Sequence, residues 1–399
     1  MTSHSDVLIV GGGLSGTLTA LRFAIAKPDL SVTLIEESAV LGGAQLHTWS
    51  FHDTDLSEES RLWLKPLLTR SWDEHTVIFP KFTRQVKSGY HSIRSEDLAR
   101  VLTERFAALP NFQIRLKTRV DKIDEASVTC QGGDVLIANL VLDARGNKNV
   151  SPENSGFQKF IGYDVLLEEP HGITAPVLKD VNCPQLDGYR FFYLLPWDEK
   201  RILIEETYYS DDPSLNADRI GRSIRSYAAR RGWKIQAVER IEQGVLQIPM
   251  TSQYIKTALE GEALLIGALG GFYHATTGFS LPDAVRIAEF LTSLSEHNTQ
   301  YARESLAKFR RPFLSRQRFY RMLNRLLFIA SEPSLRFLIL QRFYELPGEV
   351  IERFYAGEST WSDRLRILTG RPPVPLVRAF RSFSETSAET RWGRPGGNA

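Results

Sequence analysis

Cysteine is nearly absent: 399 residues carry only Cys130 and Cys183. That leaves no disulfide framework and fits a reducing cytosol. No basic-then-apolar leader opens the chain. No apolar run approaches the roughly 18 residues of a membrane-spanning helix. The longest lies near Leu326–Ala330. The eight histidines show no ligand spacing with cysteines or acids, which speaks against a metal centre. No internal repeat is visible. An excess of one charge is missing too, since 49 Lys+Arg face 47 Asp+Glu for a net +2. What remains is 42% hydrophobic and 11% aromatic, which excludes a disordered chain and suffices for one large two-lobed fold.

The balanced charge conceals a gradient. Residues 301–399 hold 18 basic and 9 acidic side chains, and 301–330 hold 8 basic residues against Glu304 alone. Arg318, Arg321 and Arg325 recur at helical spacing, with Phe319, Met322, Leu323, Leu326 and Leu327 opposite. The segment reads either as a helix on its own core with a solvated basic face, or as a helix lying on anionic lipid. Bulky aliphatics between the arginines argue against nucleic acid.

The N-terminus is the most informative stretch. Asp6–Val10 is a short β-branched apolar run, followed by Gly11-x-Gly13-x-x-Gly16, an apolar helix to Ala26, and a second strand over 31–36 ending in Glu36. Strand, glycine turn, helix, strand and acid in that order form a dinucleotide-binding βαβ unit. Gly11 permits the turn, Gly13 lets backbone approach a pyrophosphate, and Gly16 lets helix and strand pack. Glu36 stands where a carboxylate meets ribose hydroxyls. Gly42-Gly43 resembles FAD proteins of the glutathione-reductase type, which favours FAD over NAD.

Further along, 95–107 reads as a helix with Ser95 as N-cap. Short strands over 112–145 end in Asp143-Ala-Arg-Gly146, resembling the point where FAD proteins return to the dinucleotide domain. Residues 188–196 and 201–209 form a hairpin, and Asp218 to Arg231 a helix. A strand at 263–267 runs into a glycine loop with Gly267, Gly270 and Gly271, and a helix with Pro282 near its start follows. The expected fold is α/β. A Rossmann-like FAD-binding domain (1–150 and 256–300) carries an inserted β-rich substrate lobe (151–255). Amphipathic helices (301–383) and a disordered tail (384–399) follow. Flavoproteins of the hydroxylase type usually place Gly-Asp before the last glycine loop; here Gly267-Ala268 stands instead, which weakens a hydroxylase reading.

Several stretches are more specific than any generic flavoprotein motif. They are Leu46-His-Thr-Trp-Ser-Phe-His52, Gly188-Tyr-Arg-Phe-Phe-Tyr193, Leu203-Ile-Glu-Glu-Thr207, His274-Ala-Thr-Thr-Gly-Phe-Ser-Leu-Pro282, Phe319-Tyr-Arg-Met-Leu-Asn324, Arg353-Phe-Tyr-Ala-Gly357 and Asp363-Arg-Leu-Arg-Ile-Leu-Thr-Gly370. Through them the chain resembles the bacterial lycopene cyclases over nearly its full length. The resemblance implies proton-initiated closure of β rings on lycopene and other linear-ended carotenoids, without net redox change. It also implies reduced FAD, with NAD(P)H as electron source, and a cytoplasmic enzyme associated peripherally with the inner face of the cell membrane.

Protonating an alkene requires an acid kept neutral until it acts, such as a carboxyl in an apolar cavity. Glu205 and Glu206 are the candidates. On a strand they face opposite ways, Glu205 with Leu203 and Thr207, Glu206 with Ile202 and Ile204. The resemblance favours Glu205; an adjacent acid pair taken alone reads as a cross-strand ion pair. Trp49, Phe51, Tyr189, Phe191, Tyr193, Phe272, Tyr273 and Phe279 are candidate cavity walls, Thr277 and Gly278 candidate substrate contacts, and His274 and His52 candidate proton relays. Two other classes compete: an FAD-dependent hydroxylase or prenyl reductase, and a non-catalytic carotenoid carrier.

Overall fold

Ser3–Val10 lies between Val32–Ile35 and Val135–Asp143, parallel to both, in a six-stranded sheet. Val7, Leu8, Ile9 and Val10 are all buried. Both faces of the strand are covered, which is why it reads as a continuous apolar run rather than an alternation. In this computed structural model, residues 3–43, 46–146, 154–253, 263–369 and 376–388 are described. The sheet continues outward to Phe112–Arg115 on one side and to Ser127–Cys130 and Val120–Ile123 on the other. The helix Leu14–Ala26 crosses between the first two strands and packs on Leu281–Ser293. Gly16 lets the helix start close against the end of the first strand: a Cβ there would stand 1.9 Å from the Gly11 carbonyl oxygen. The expected strand at 263–267 is only a single bridge, Leu265 beside Asp143.

A seven-stranded sheet forms the second lobe. Its order is Ile235–Pro249, Ser155–Leu167, Arg201–Ser210, Tyr189–Pro196, Val177–Asp180, His75–Phe79 and Phe82–Val86. The last two strands come from a stretch expected in the first dinucleotide-binding segment. They join this sheet because His75–Phe79 pairs parallel with Val177–Asp180. Ala217–Arg230 covers one face through Ile220, Ile224 and Tyr227, packed with Ile202, Ile204 and Phe192. On the other face Tyr189, Phe191, Leu203 and Tyr209 pack with the C-terminal helices. A three-stranded sheet of Thr48–His52, Tyr90–Arg94 and Arg70–Trp72 completes the strands. Ser95 is the first residue of its helix, not the cap; Arg94 holds that position, while Ser95 Oγ donates to Glu96.

The C-terminal helices are Thr299–Arg325, Arg336–Tyr344, Gly348–Tyr355, Trp361–Leu368 and Leu376–Ser382, with a π-turn at Leu326–Ala330. No helix among the described residues is long and apolar enough to cross a membrane. The expected basic face is not solvated. Arg318 is exposed, but Arg321 and Arg325 are buried. Arg325 donates to the carbonyls of Met250, Ser382 and Phe383 at 2.5, 2.9 and 2.7 Å. Arg321 lies 3.7 Å from Glu385. The segment expected as a disordered tail supplies one of these partners, Glu385, which also accepts from Ser252, and Ala388 in it is buried. Residues 389–399 lie outside the described residues.

Candidate active site

The glycine turn has the form a pyrophosphate needs. Gly13 is the N-cap of Leu14–Ala26 and no side chain caps the helix, so its first-turn N–H groups are left for another acceptor. Nothing would lie within 4 Å of a Cβ on Gly13, whereas one on Gly267 would meet Ser15 Oγ at 2.6 Å. The return loop therefore sits directly on the helix start. Glu36 pins the turn, accepting from Gly12 N at 2.6 Å and Ser38 N at 2.8 Å. Each carboxylate oxygen keeps a further lone pair for a ribose hydroxyl. Gly42 N donates to the Gly12 carbonyl, bringing Gly42-Gly43 against the turn. The Asp143 carboxylate is held at both oxygens by the Arg145 guanidinium at 2.9 and 2.7 Å, and Gly146 ends that stretch beside open space. Gly270 and Gly271 shape the return loop itself. These residues fit FAD.

Two adjoining cavities lie on one face of the second sheet, one under the Thr48–His52 strand and the 277–281 stretch, the other under the C-terminal helices. One, of about 200 Å³, is lined by Trp49, Ser50, Phe191, Tyr193, Glu205 and Phe279. The other, of about 270 Å³, is lined mainly by apolar side chains including Tyr189, Leu323, Ile339, Phe343 and Phe380. Lys179, Thr277 and Tyr355 line both.

Glu205 is the only carboxylate lining either cavity among the described residues. Thr207 Oγ1 donates to its Oε1 at 2.5 Å. Burial, then the charge of Glu242, pushes its carboxyl up to about 8, against the pull of Thr207 and Lys179. Glu205 is thus neutral near pH 7, as an acid for an apolar substrate must be. Lys179 Nζ sits 3.7 Å from the centre of the Phe191 ring, and burial brings its ammonium down to about 7. Glu206 points the other way. It is fully buried, accepts from Arg190 Nε at 2.7 Å, and is hydrogen-bonded by Tyr208. The cross-strand ion-pair reading describes Glu206; its candidacy as a cavity acid does not survive this placement.

A family model for lycopene cyclase proteins matches residues 6–381. The chain belongs to the lycopene cyclase family. It is 39% identical to the lycopene beta-cyclase of Pantoea ananas over 386 residues, covering 97% of this chain and all of that one. Among solved structures, the p-nitrophenol 4-monooxygenase of Pseudomonas putida superposes with a TM-score of 0.62 at 16% identity, covering 90% of this chain and 99% of that one. A probable FAD-dependent monooxygenase from Pseudomonas aeruginosa gives 0.55 at 15% identity, covering 84% and 99%. These likenesses bear out the expected α/β flavoprotein fold with its added C-terminal helices.

The cyclase brings most, not all, of the expected walls together. Trp49, Phe191, Tyr193, Thr277, Gly278 and Phe279 line the Glu205 cavity, and Tyr189 the apolar one. Phe51 and Phe272 do not reach either; both are buried in the core under the dinucleotide sheet. His274 is no proton relay to Glu205. Its Nε2–H donates to the Phe354 carbonyl, its Nδ1 accepts from Thr276 and Thr277 N–H, and burial brings it down to about 4. It holds the 274–279 loop in shape. His52 is buried beside Tyr90 and Tyr355, and burial lowers its pKa well below the usual range, so it too is neutral. The residues that escaped sequence reasoning are Lys179, Tyr355, Tyr90 and Glu242, each supplied by a strand or helix distant in sequence. The only signal for Glu242 was its i,i+2 spacing from Arg240, which places both on one strand face.

Proposed function

We propose that this cyclase closes β rings on the linear ends of lycopene, through monocyclic γ-carotene to β-carotene, with Glu205 as the acid. The observation that carries the assignment is a neutral, buried carboxyl in an aromatic cavity that continues into an apolar one. Glu205 gives its proton to a terminal double bond, whose electron pair forms the new C–H bond. The electron pair of a neighbouring double bond then closes the ring. A proton leaves the ring, and the electrons of that C–H bond become the ring double bond. One proton enters and one departs, so oxidation state is unchanged. Trp49, Phe191 and Tyr193 exclude water and offer ring faces to the cation. The apolar cavity accommodates the remaining polyene.

Gly11, Gly13, Gly16, Glu36 and the Gly267 loop would hold FAD. In its reduced form FAD would supply an electron-rich group that stabilises developing positive charge. NAD(P)H is the proposed source of its electrons.

Substrate reaches the apolar cavity from a membrane surface. Leu368, Thr369, Phe380 and Phe383 stand at that cavity, and Trp361 and Leu365 share the helix face of Leu368 by their i, i+4, i+7 spacing. Trp361 is 83%, Phe380 69% and Leu365 63% exposed. Exposed Arg366 and Arg381 flank them. An aromatic ridge with arginines suits anionic lipid, and it replaces the 318–325 face as the docking surface.

The test is anaerobic incubation of the protein with FAD, NADPH and lycopene in liposomes, following ring products and NADPH together. Ring closure with NADPH needed only to keep flavin reduced supports cyclisation. NADPH consumed in proportion to product would make the protein an oxidoreductase. Unchanged lycopene bound in the cavity would make it a carrier.

A further inference from the structure

The strand Ser155–Leu167 separates Arg201–Ser210 from Ile235–Pro249, and its Gly162 stands directly opposite both Glu205 and Glu242. Residues directly opposite in adjacent strands put their side chains on the same face. With no side chain between them, the two side chains approach each other over the glycine, and Glu205 lies in the field of Glu242. A Cβ on Gly162 would lie 3.3 Å from Glu205 Cβ and 3.1 Å from Glu242 Cγ, so even a methyl group would crowd the gap.

The two partners are held unequally. Glu242 Oε2 accepts from Arg240 Nη1 at 2.6 Å and from Thr48 Oγ1 at 2.8 Å. Arg240 is itself fixed by Asp164 at 3.3 Å and Glu96 at 2.9 Å. Among the described residues Glu205 receives one hydroxyl, from Thr207, and no guanidinium. Burial raises both carboxyls, but the anion-stabilising donors Arg240 and Thr48 gather on Glu242, so the proton falls to Glu205.

We propose that Glu205 and Glu242 are a carboxyl pair sharing one proton across Gly162, in which Glu242 is the anchored anion that keeps Glu205 loaded. The inference rests on the cyclisation reading above. Glu242 does not line the cavity, so it is a positioning residue acting through Glu205. Two carboxyl groups this close do not both ionise readily. The repulsion also changes sign in its effect: once the proton has left, two adjacent negative charges attract the carbocation just formed. The other ionisable groups that act on Glu205 or take up its field are Lys179, Tyr90 and Tyr193. Burial raises the pKa of both tyrosines, so they stay neutral, and only Lys179 opposes Glu242.

The test is the pH dependence of kcat on liposomal lycopene for the parent and Glu242→Gln. Activity requires protonated Glu205, so removing its anionic partner should move the alkaline limb at least about one pH unit toward acid, whatever the height of the acid-side plateau. A profile scaled down uniformly, with its limb unmoved, would overturn the proposal. Glu242 also anchors Arg240, so a second readout needs no turnover: infrared titration of the protonated carboxyl, assigned by its loss in Glu205→Gln. Gly162→Ala, which leaves the Arg240 pair in place, should shift that titration in the same direction. An unshifted carboxyl titration in both variants refutes the pair whatever the activity shows. Failure of cyclisation itself would appear separately, as absence of ring product from the parent.

Discussion

Glu205 and Glu206 are neighbours in the chain and share no partner. Glu205 faces the aromatic cavity with Thr207 on its carboxyl, while Glu206 faces the helix Ala217–Arg230 and is bound by Arg190, whose guanidinium also donates to Ser223. One peptide bond separates the proposed acid from a side chain held in an ion pair.

That division predicts opposite phenotypes. Glu205→Gln should bind FAD and lycopene yet lose ring formation by about 10²–10⁴-fold, the usual contribution of a general acid. Glu206→Gln should retain turnover per folded molecule and lose stability by about 1–3 kcal/mol, because Arg190 loses its anionic partner. Product chromatography and urea unfolding on both variants check this. Turnover abolished in Glu206→Gln at unchanged stability would reverse the roles.

The raised carboxyl of Glu205 also predicts how stability depends on pH. Its folded value, about 8, lies above its ordinary value of 4.5. Between those two pH values the folded state binds more protons than the unfolded chain, so this group makes stability fall as pH rises, levelling off above about 8. Glu205→Gln removes that slope. The variant should therefore match or exceed the parent's melting temperature at pH 8, and the difference should shrink toward pH 5. A variant less stable than the parent at pH 8 would show that the carboxyl is held for folding rather than for chemistry.

How much of this the sequence discloses depends on whether the governing contacts are local. The βαβ unit is legible because Gly11, Gly13, Gly16 and Glu36 act within one short segment. The opposed facing of Glu205 and Glu206 follows from strand alternation alone. Glu242 is not legible as a partner, because its meeting with Glu205 depends on the register of two strands against Gly162. The arginine face was misread for a related reason. Helical spacing puts Arg321 and Arg325 on one side but cannot say that the backbone of Ser382 and Phe383 covers it. His75–Val86 joins the second sheet through Val177–Asp180, a pairing spanning about a hundred residues that no local pattern announces.

For the flavin, Gly13→Val is the informative change. Gly13 has an extended backbone that other residues adopt, and open space surrounds the missing Cβ. The fold should persist while the pyrophosphate loses its approach. Expected is an unchanged circular dichroism spectrum with flavin absorbance lost from the purified protein. Stoichiometric FAD in this variant would place the cofactor elsewhere.

Arg325 gives a contrast. Its three bonds to the carbonyls of Met250, Ser382 and Phe383 tie the long helix to the C-terminal segment. Arg325→Gln should cost about 2–4 kcal/mol, since bonds from a charged donor are worth roughly 1.5–3 kcal/mol each and glutamine replaces them only in part. The loss should appear in thermal unfolding without vesicles. An unchanged melting temperature combined with weakened vesicle binding would restore the reading of a helix lying on anionic lipid.

The docking surface is tested at Leu365 and Phe380. Both are exposed, so neither supports the core, and Phe380 stands at the apolar cavity. Leu365→Asp with Phe380→Asp removes apolar contact and places negative charge toward anionic lipid. Vesicle binding should fall at least about tenfold, because burying each side chain in the interface is worth on the order of 1.5–3 kcal/mol. KM for liposomal lycopene should rise in step, while turnover of detergent-dispersed lycopene should fall less than vesicle binding does, since Phe380 borders the polyene cavity but the Glu205 cavity is untouched. Salt should weaken the parent's binding only in part: it screens Arg366 and Arg381 but leaves the apolar term. Binding of the double variant equal to the parent's would show that lipid meets the protein on another face.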